Sequence, residues 1–61
     1  MNCFIKLTAA NGGVSTLVHI LHIKVIRRNR QGGVSISMRD DDFTRDFTES
    51  LEEVERKLSE L

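Results

Sequence analysis

Hydrophobic and polar residues alternate along most of the chain up to residue 47, which is the pattern of β-strands that bury one face. The alternation is cleanest at 34–39, where Val34, Ile36 and Met38 point to one side of the strand and polar residues point to the other. Shorter segments of the same character occupy 3–8, 14–18, 23–28 and 43–47. The pattern therefore predicts four or five short strands.

Turn signals between these segments group the strands into two hairpins. Asn11-Gly12 supplies the positive φ angles that a tight hairpin turn needs, and the segment 29–33 forms a second turn. The segment 19–22 either extends the second strand or makes a single turn before the third. Three aspartates at 40–42 form an acidic turn before the last strand.

Strict alternation in the third strand assigns its side chains to two faces. One face is expected to carry Ile23 and Val25. The opposite face is expected to carry Lys24, Ile26 and Arg28.

The chain ends in a predicted amphipathic helix. Ser50, with Glu53 three residues later, matches a capping box at the start of a helix. The apolar stripe of this helix consists of Leu51, Val54, Leu58 and Leu61. A helix this short is unstable alone in water, so the stripe must either dock on its own sheet or mediate self-association with a second copy.

The predicted fold is therefore α+β, a small antiparallel β-meander followed by one C-terminal amphipathic helix, in a single domain spanning 1–61. A chain of 61 residues and 6.9 kDa buries only about 60% of its unfolded surface, so it gains from disulfides, a metal or self-association. One cysteine excludes an internal disulfide. We therefore expect a homo-oligomer.

The net charge of zero conceals an uneven distribution along the chain. Residues 1–39 contain six basic residues and no acidic one, whereas 40–61 contain nine acidic residues and three basic ones. This asymmetry indicates a charged partner or protomers that neutralise one another. The alternative is that the acidic half folds back on the basic half within one chain.

The second hairpin concentrates the positive charge. Its cations are Lys24, Arg27, Arg28 and Arg30. A basic two-stranded ribbon can contact an acidic partner or track nucleic-acid phosphates. A protein-facing or solvated hairpin is favoured over a nucleic-acid site, because no aromatic residue lies between Phe4 and Phe43 and the pI is near 6.7.

Candidate catalytic and metal-binding groups are few. Cys3 lies on a predicted strand near the start of the chain, where a role as a small hydrophobic residue is favoured over that of a nucleophile. A structural role is favoured for His19 and His22 because nothing in the basic half completes a ligand set. The aspartates at 40–42 lack the spacing of a calcium loop, and no helix follows the glycine pairs to form a phosphate loop. The residues therefore predict no catalytic site, no metal and no cofactor.

The longest apolar-leaning run, 17–26, is interrupted by two histidines and a lysine, so no membrane contact is predicted. The lone Cys3 and the lack of a signal-peptide pattern favour a cytoplasmic location.

Several motifs along most of the chain occur together in one family of small proteins. They are Ile5-Lys6-Leu7-Thr8, Asn11-Gly12, Ile20 and Ile23, and Glu49-Ser50-Leu51-Glu52-Glu53-Val54. In this order they resemble FlbD/SwrD-like flagellar and swarming-motility proteins, which implies a small bacterial accessory protein. The chain departs from that family in its acidic turn at 40–42, where the family tends to have a glycine, and in its more basic central hairpin.

Two other relationships stay open. Phage-encoded small proteins share this layout, so the origin is bacterial or phage. The order also resembles the first part of the longer LytTR-type DNA-binding domains, through the Ser50-Leu51-Glu52-Glu53 segment. The hypothesis for this chain is a non-enzymatic accessory protein that self-associates and binds a protein partner. The alternative is a nucleic-acid-binding regulator that uses the hairpin 24–30.

Overall fold

The computed structural model describes residues 3–39 and 43–61. The elements, in chain order, are β1 (Phe4–Thr8), β2 (Ser15–His19), a 3₁₀ helix (Ile20–His22), β3 (Ile23–Arg28), β4 (Val34–Met38), β5 (Thr44–Phe47) and α1 (Leu51–Ser59). This order confirms the predicted α+β class, an antiparallel meander followed by a C-terminal helix. The acidic turn predicted at 40–42 lies outside the described residues.

The strands form two antiparallel sheets that meet at one corner. One sheet contains β1 and β2, and the other has the order β3-β4-β5. At the corner, Ala9 forms a bridge with Phe47, and the Thr48 N–H donates to the Thr8 carbonyl at 2.9 Å. The Ala10 N–H donates to the Asp46 carbonyl at 3.0 Å. The end of β1 is thereby held against β5.

One hydrophobic core lies between the sheets and the helix. Its buried members are Ile5, Leu7, Val18, Val34, Ile36, Phe47 and Val54. The half-buried residues packed around them are Ile20, Ile23, Ile26, Met38, Leu51 and Leu58. Both sheets and α1 contribute to this cluster, so each element covers apolar surface of the others.

A β-bulge in β3 changes which of its side chains point to the core, so the predicted assignment to the two faces is wrong. Ile23 pairs with Met38, but Val25 already pairs with Ser37, so Ile23, Lys24 and Val25 span two positions of β4. The extra residue reverses the alternation. Ile26 therefore lies on the core side with Ile23, while Val25 lies on the opposite face, and the assignment of Ile26 to the face opposite Ile23 was wrong.

The ambiguous segment 19–22 is divided between the two alternatives, because His19 extends β2 and the next three residues make a turn. The residues Ile20–His22 form the 3₁₀ helix, and the His19 imidazole caps it by accepting the Leu21 N–H at 3.2 Å. The strand limits differ from the predicted ones by a residue at several ends. In particular, Phe43 precedes β5, and its side chain is 75% exposed.

The C-terminal helix begins where the capping pattern predicts. The Ser50 side chain accepts the Glu53 N–H at 3.1 Å. Val54 is fully buried, and Leu51 and Leu58 pack against the core, whereas Leu61 is half exposed. Most of the apolar stripe is therefore covered by the protein's own sheets.

A carboxylate joins the start of this helix to the end of β1. Both side-chain oxygens of Glu49 accept the Thr8 N–H at 2.9 Å. Burial raises the pKa of Glu49, but the hydrogen bonds from Thr8 and the charge of Lys57 outweigh it, so the pKa lies below its ordinary value of 4.5. The ionised form of Glu49 thus favours the folded state.

Replacing this carboxylate should change how stability depends on pH. Because the folded-state pKa is lowered, the stabilisation is complete above about 4.5 and is lost as the pH falls through the folded-state value. We expect urea unfolding to show wild type more stable than Glu49→Gln at neutral pH, with the two free energies converging in acid. Glu55→Gln, on the exposed side of α1, is the control and should stay within about 0.5 kcal/mol of wild type at neutral pH. A constant difference down to strong acid would contradict the role of the charge.

Two adjacent glycines should respond very differently to alanine. A Cβ on Gly33 would overlap the Phe47 carbonyl in the neighbouring strand, whereas a Cβ on Gly32 meets open space. Gly32 has a φ of 89°, so Gly32→Ala should cost about 1 kcal/mol of backbone strain. Gly33→Ala must push β5 away from β4 and should cost about 3 kcal/mol or more, measured by urea unfolding. Equal losses would show that the approach of the two strands is not tight.

Candidate interaction surface

The face of β3-β4-β5 that points away from the core is open and polar. A shallow depression of about 480 Å³ lies on it. The residues that line this depression are Lys24, Val25, Arg27, Arg28, Ser35, Ser37 and Thr44. We call these residues the basic sheet face.

Small hydroxyl side chains form the middle of the basic sheet face. The hydroxyl oxygens of Ser37 and Thr44, on neighbouring strands, are 3.5 Å apart. Ser35 donates to a carboxylate oxygen of Asp46 at 2.5 Å. Short side chains keep the surface shallow, so groups on another molecule can reach both the hydroxyls and the flanking cations.

The β-bulge determines what this face contains. Because β3 gains a residue at Lys24, the aliphatic Ile26 turns into the core, and Val25 and Arg27 share the outer side with the serines of β4. Alternation along β4 already placed Ser35 and Ser37 on that side. The sequence therefore indicated the serines, whereas the position of Arg27 beside them depends on the bulge.

The four cations predicted as a contact site separate into three environments. Lys24 and Arg27 border the depression with the hydroxyls. Arg28 also lines its rim, but its guanidinium forms an ion pair with Glu52 of α1, and both side chains are about two-thirds exposed. Arg30 is exposed in the turn between β3 and β4. The structure thus places Lys24 and Arg27 beside the serines, and neither forms an ion pair with another residue of 3–39 or 43–61.

The charge asymmetry of the sequence becomes an asymmetry of the folded molecule. The segment from Glu49 onward carries five acidic and two basic residues and packs on the core side, away from the basic sheet face. The Arg28–Glu52 pair joins the two halves within one chain. Such an exposed pair contributes less than about 1 kcal/mol to stability. Folding back of the acidic half therefore accounts for part of the charge pattern. On the outer face Lys24 and Arg27 remain, together with the Asp46 carboxylate that Ser35 contacts.

The histidines flagged by the sequence make ring contacts. The rings of Phe4 and His19 meet edge to face with centroids 4.8 Å apart, and His19 stacks on His22 at 4.6 Å. Cys3 is half-buried and carries a free thiol. Across residues 3–39 and 43–61, no group of three or more His, Cys, Asp or Glu side chains is placed to hold a metal ion.

Within the described part of the chain, no helix is long and apolar enough to cross a bilayer. Searches against family models, curated proteins and solved structures find no match for this sequence or fold. A functional assignment therefore rests on the chemistry of the chain's own residues.

Proposed function

We propose that this chain is a non-enzymatic interaction protein that self-associates and binds an acidic protein partner through the basic sheet face. The observation that supports this proposal is the juxtaposition of Lys24 and Arg27 with a row of hydroxyls on the face that α1 leaves uncovered. The two cations are donors, and the Ser37–Thr44 pair has one further hydroxyl to donate, whereas Ser35 already donates to Asp46. The carboxylates of an acidic partner are acceptors that match these donors.

The shape of the surface favours a macromolecular partner over a small ligand. Small molecules bind in clefts that enclose most of their surface and are lined mainly by apolar groups. The basic sheet face is shallow, and its lining is dominated by Lys24, Arg27 and hydroxyl side chains. Charges at such an open interface accelerate association and make binding sensitive to salt.

Nucleic acid is the second candidate, because the same cations could contact phosphates. Arg30 at the tip of the hairpin extends the positive surface beyond Lys24 and Arg27. However, Val25 lies between Lys24 and Arg27, and its side chain has no ring on which a base could stack. Contacts would be limited to phosphates, so we favour the protein partner.

A relationship to FlbD/SwrD-like proteins is part of the proposal. Thr8 and Glu49 belong to two of the motifs that carry the resemblance, and the Glu49 carboxylate accepts the Thr8 N–H. This contact joins the two motifs in the fold, which supports the idea that they occur together for a structural reason. On this proposal the chain is a cytoplasmic accessory protein of bacterial or phage origin.

Charge reversal on the basic sheet face should weaken binding to an acidic probe. We expect a fluorescein-labelled polyglutamate peptide to bind the wild-type protein at low salt in an anisotropy titration. Arg27→Glu should weaken binding by about tenfold or more, because it replaces attraction by repulsion at the site. Arg56→Glu, an equal charge change on the exposed side of α1, is the matched control and should change affinity by less than about threefold. Equal losses for both variants would assign the binding to net charge and overturn the proposed face.

The nucleic-acid alternative predicts a distinct dependence on salt. Three phosphate contacts, by Lys24, Arg27 and Arg30, would give a log–log slope of about −3 for duplex DNA between roughly 50 and 200 mM salt. We expect labelled random-sequence DNA and RNA to show no binding at the upper concentration in anisotropy titrations. A slope near that value, reduced by about one unit in Arg30→Gln, would instead establish the nucleic-acid regulator.

A further inference from the structure

Four strands in the described part of the chain, β1, β2, β3 and β5, pair with a strand on one side only. The open edges of β1 and β5 meet at the corner, where the Ala9–Phe47 bridge and two backbone hydrogen bonds join them, and both strands carry charged residues. The edges of β2 and β3 have no such junction. Free edges invite pairing with other chains, and proteins usually protect them with charges, bulges or a covering element. β3 has all three protections, since it carries a bulge at Lys24, ends in two arginines and packs against α1. β2 has the sequence STLVH and pairs with β1 in unbroken register, so its edge carries neither a bulge nor a Lys, Arg, Asp or Glu.

The hydrogen bonds at the two ends of the β1–β2 hairpin show which backbone groups of β2 face outward. The Ala9 N–H donates to the Val14 carbonyl at 2.8 Å, and the Ile20 N–H donates to the Cys3 carbonyl at 2.9 Å. Because backbone groups alternate in direction along a strand, the even-numbered residues of β2 face β1. Ser15, Leu17 and His19 therefore direct their N–H and carbonyl groups away from the sheet.

Side chains along this edge are uncharged and partly apolar. Leu17 is 66% exposed on the outer side of the hairpin, opposite Lys6. A groove of about 270 Å³ runs beside the strand. Its lining is mainly apolar or aromatic and includes one cation, Arg45; the other residues are Phe4, Thr16, Leu17, Val18, His19, Met38 and Phe47. An added strand would thus gain backbone hydrogen bonds along the edge and apolar contacts in the groove.

We infer that β2 pairs antiparallel with β2 of a second copy of this chain, around a two-fold axis at Leu17. Antiparallel pairing about that residue sets Leu17 opposite Leu17, and Ser15 opposite His19, so each outward backbone group meets a complementary one. The inference deepens the self-association in the proposed function and rests on it. It is independent of which acidic partner the basic sheet face binds.

A second copy suits this edge better than an unrelated strand. The chain has no net charge, and β2 contains no Lys, Arg, Asp or Glu, so the paired strands set no such like charges opposite each other. The two-fold arrangement is closed, because it uses both β2 edges and leaves β3 protected by its bulge and helix. A strand of five residues gives a small interface, so we expect a dimer in the micromolar range of dissociation constants.

Sedimentation equilibrium across a micromolar concentration series tests the interface. Wild type should shift from monomer to dimer. Leu17→Lys should raise the dissociation constant by about tenfold or more, because it sets two ammonium groups opposite each other at the axis. Leu61→Lys makes the same change at a half-exposed position at the end of the chain and should leave the dimer unchanged. Leu17→Thr keeps a neutral strand-forming residue and should weaken the dimer less than Leu17→Lys.

Amide hydrogen exchange provides a readout that does not depend on a substitution. In the wild-type protein, the Leu17 amide should be protected at high concentration and should lose that protection on dilution. The Val18 amide, which points to β1, should be protected at both concentrations. Concentration-independent exchange at Leu17 in a sample that is dimeric by sedimentation would overturn the β2 interface.

The outcomes separate this inference from the proposed function. A wild-type protein that is monomeric throughout would overturn both self-association and the β2 edge, while leaving the polyglutamate test of the basic sheet face intact. A dimer that survives Leu17→Lys, or one that is lost in Leu61→Lys, would keep self-association and overturn the edge. Filaments instead of a closed dimer would overturn the two-fold arrangement.

Discussion

The fold depends on the corner where the end of β1 meets the segment from Asp46 to Glu49. A two-stranded hairpin is at best marginally stable alone in water, and the β3-β4-β5 sheet has one face that must be covered. The bridge between Ala9 and Phe47 and the carboxylate of Glu49 on Thr8 hold the two sheets in one arrangement. The buried side chains of both sheets can then share one core, which α1 closes with Val54.

The bulge at Lys24 separates the packing role of β3 from its surface role. Without the extra residue, Ile26 would face solvent and Val25 would face the core, and Ile23 and Ile26 could not both pack inward. With it, the aliphatic residues on both sides of the bulge reach the core, and Arg27 joins the serines of β4 outside. A single irregularity in backbone pairing thus creates both a complete core and the basic sheet face.

Local patterns predicted the elements, whereas the contacts between elements needed the structure. The alternation of Val34, Ile36 and Met38 and the Ser50 cap depend on residues a few positions apart, so sequence reasoning identified β4 and the start of α1. The bond between Thr8 and Glu49 joins residues 41 positions apart, and no periodicity indicates it. The bulge at Lys24 could not be predicted from the alternating pattern either, because that pattern assumes regular strand pairing and a bulge interrupts it. The basic sheet face could be predicted only as a group of nearby cations. The bulge decides that Arg27, and not Arg28, lies beside the serines, and the pairing of Arg28 with Glu52 joins two distant parts of the sequence.

The basic sheet face and the acidic helix lie on different sides of the core, so the molecule presents unlike charge on two sides although its net charge is zero. A dipolar particle rotates in the field of a charged surface before it touches that surface. A negatively charged object would therefore meet the sheet side first, and a positively charged one would meet the helix side. The fold thus determines how the molecule is oriented when it approaches a charged partner. This effect acts within the Debye length, about 8 Å at physiological ionic strength.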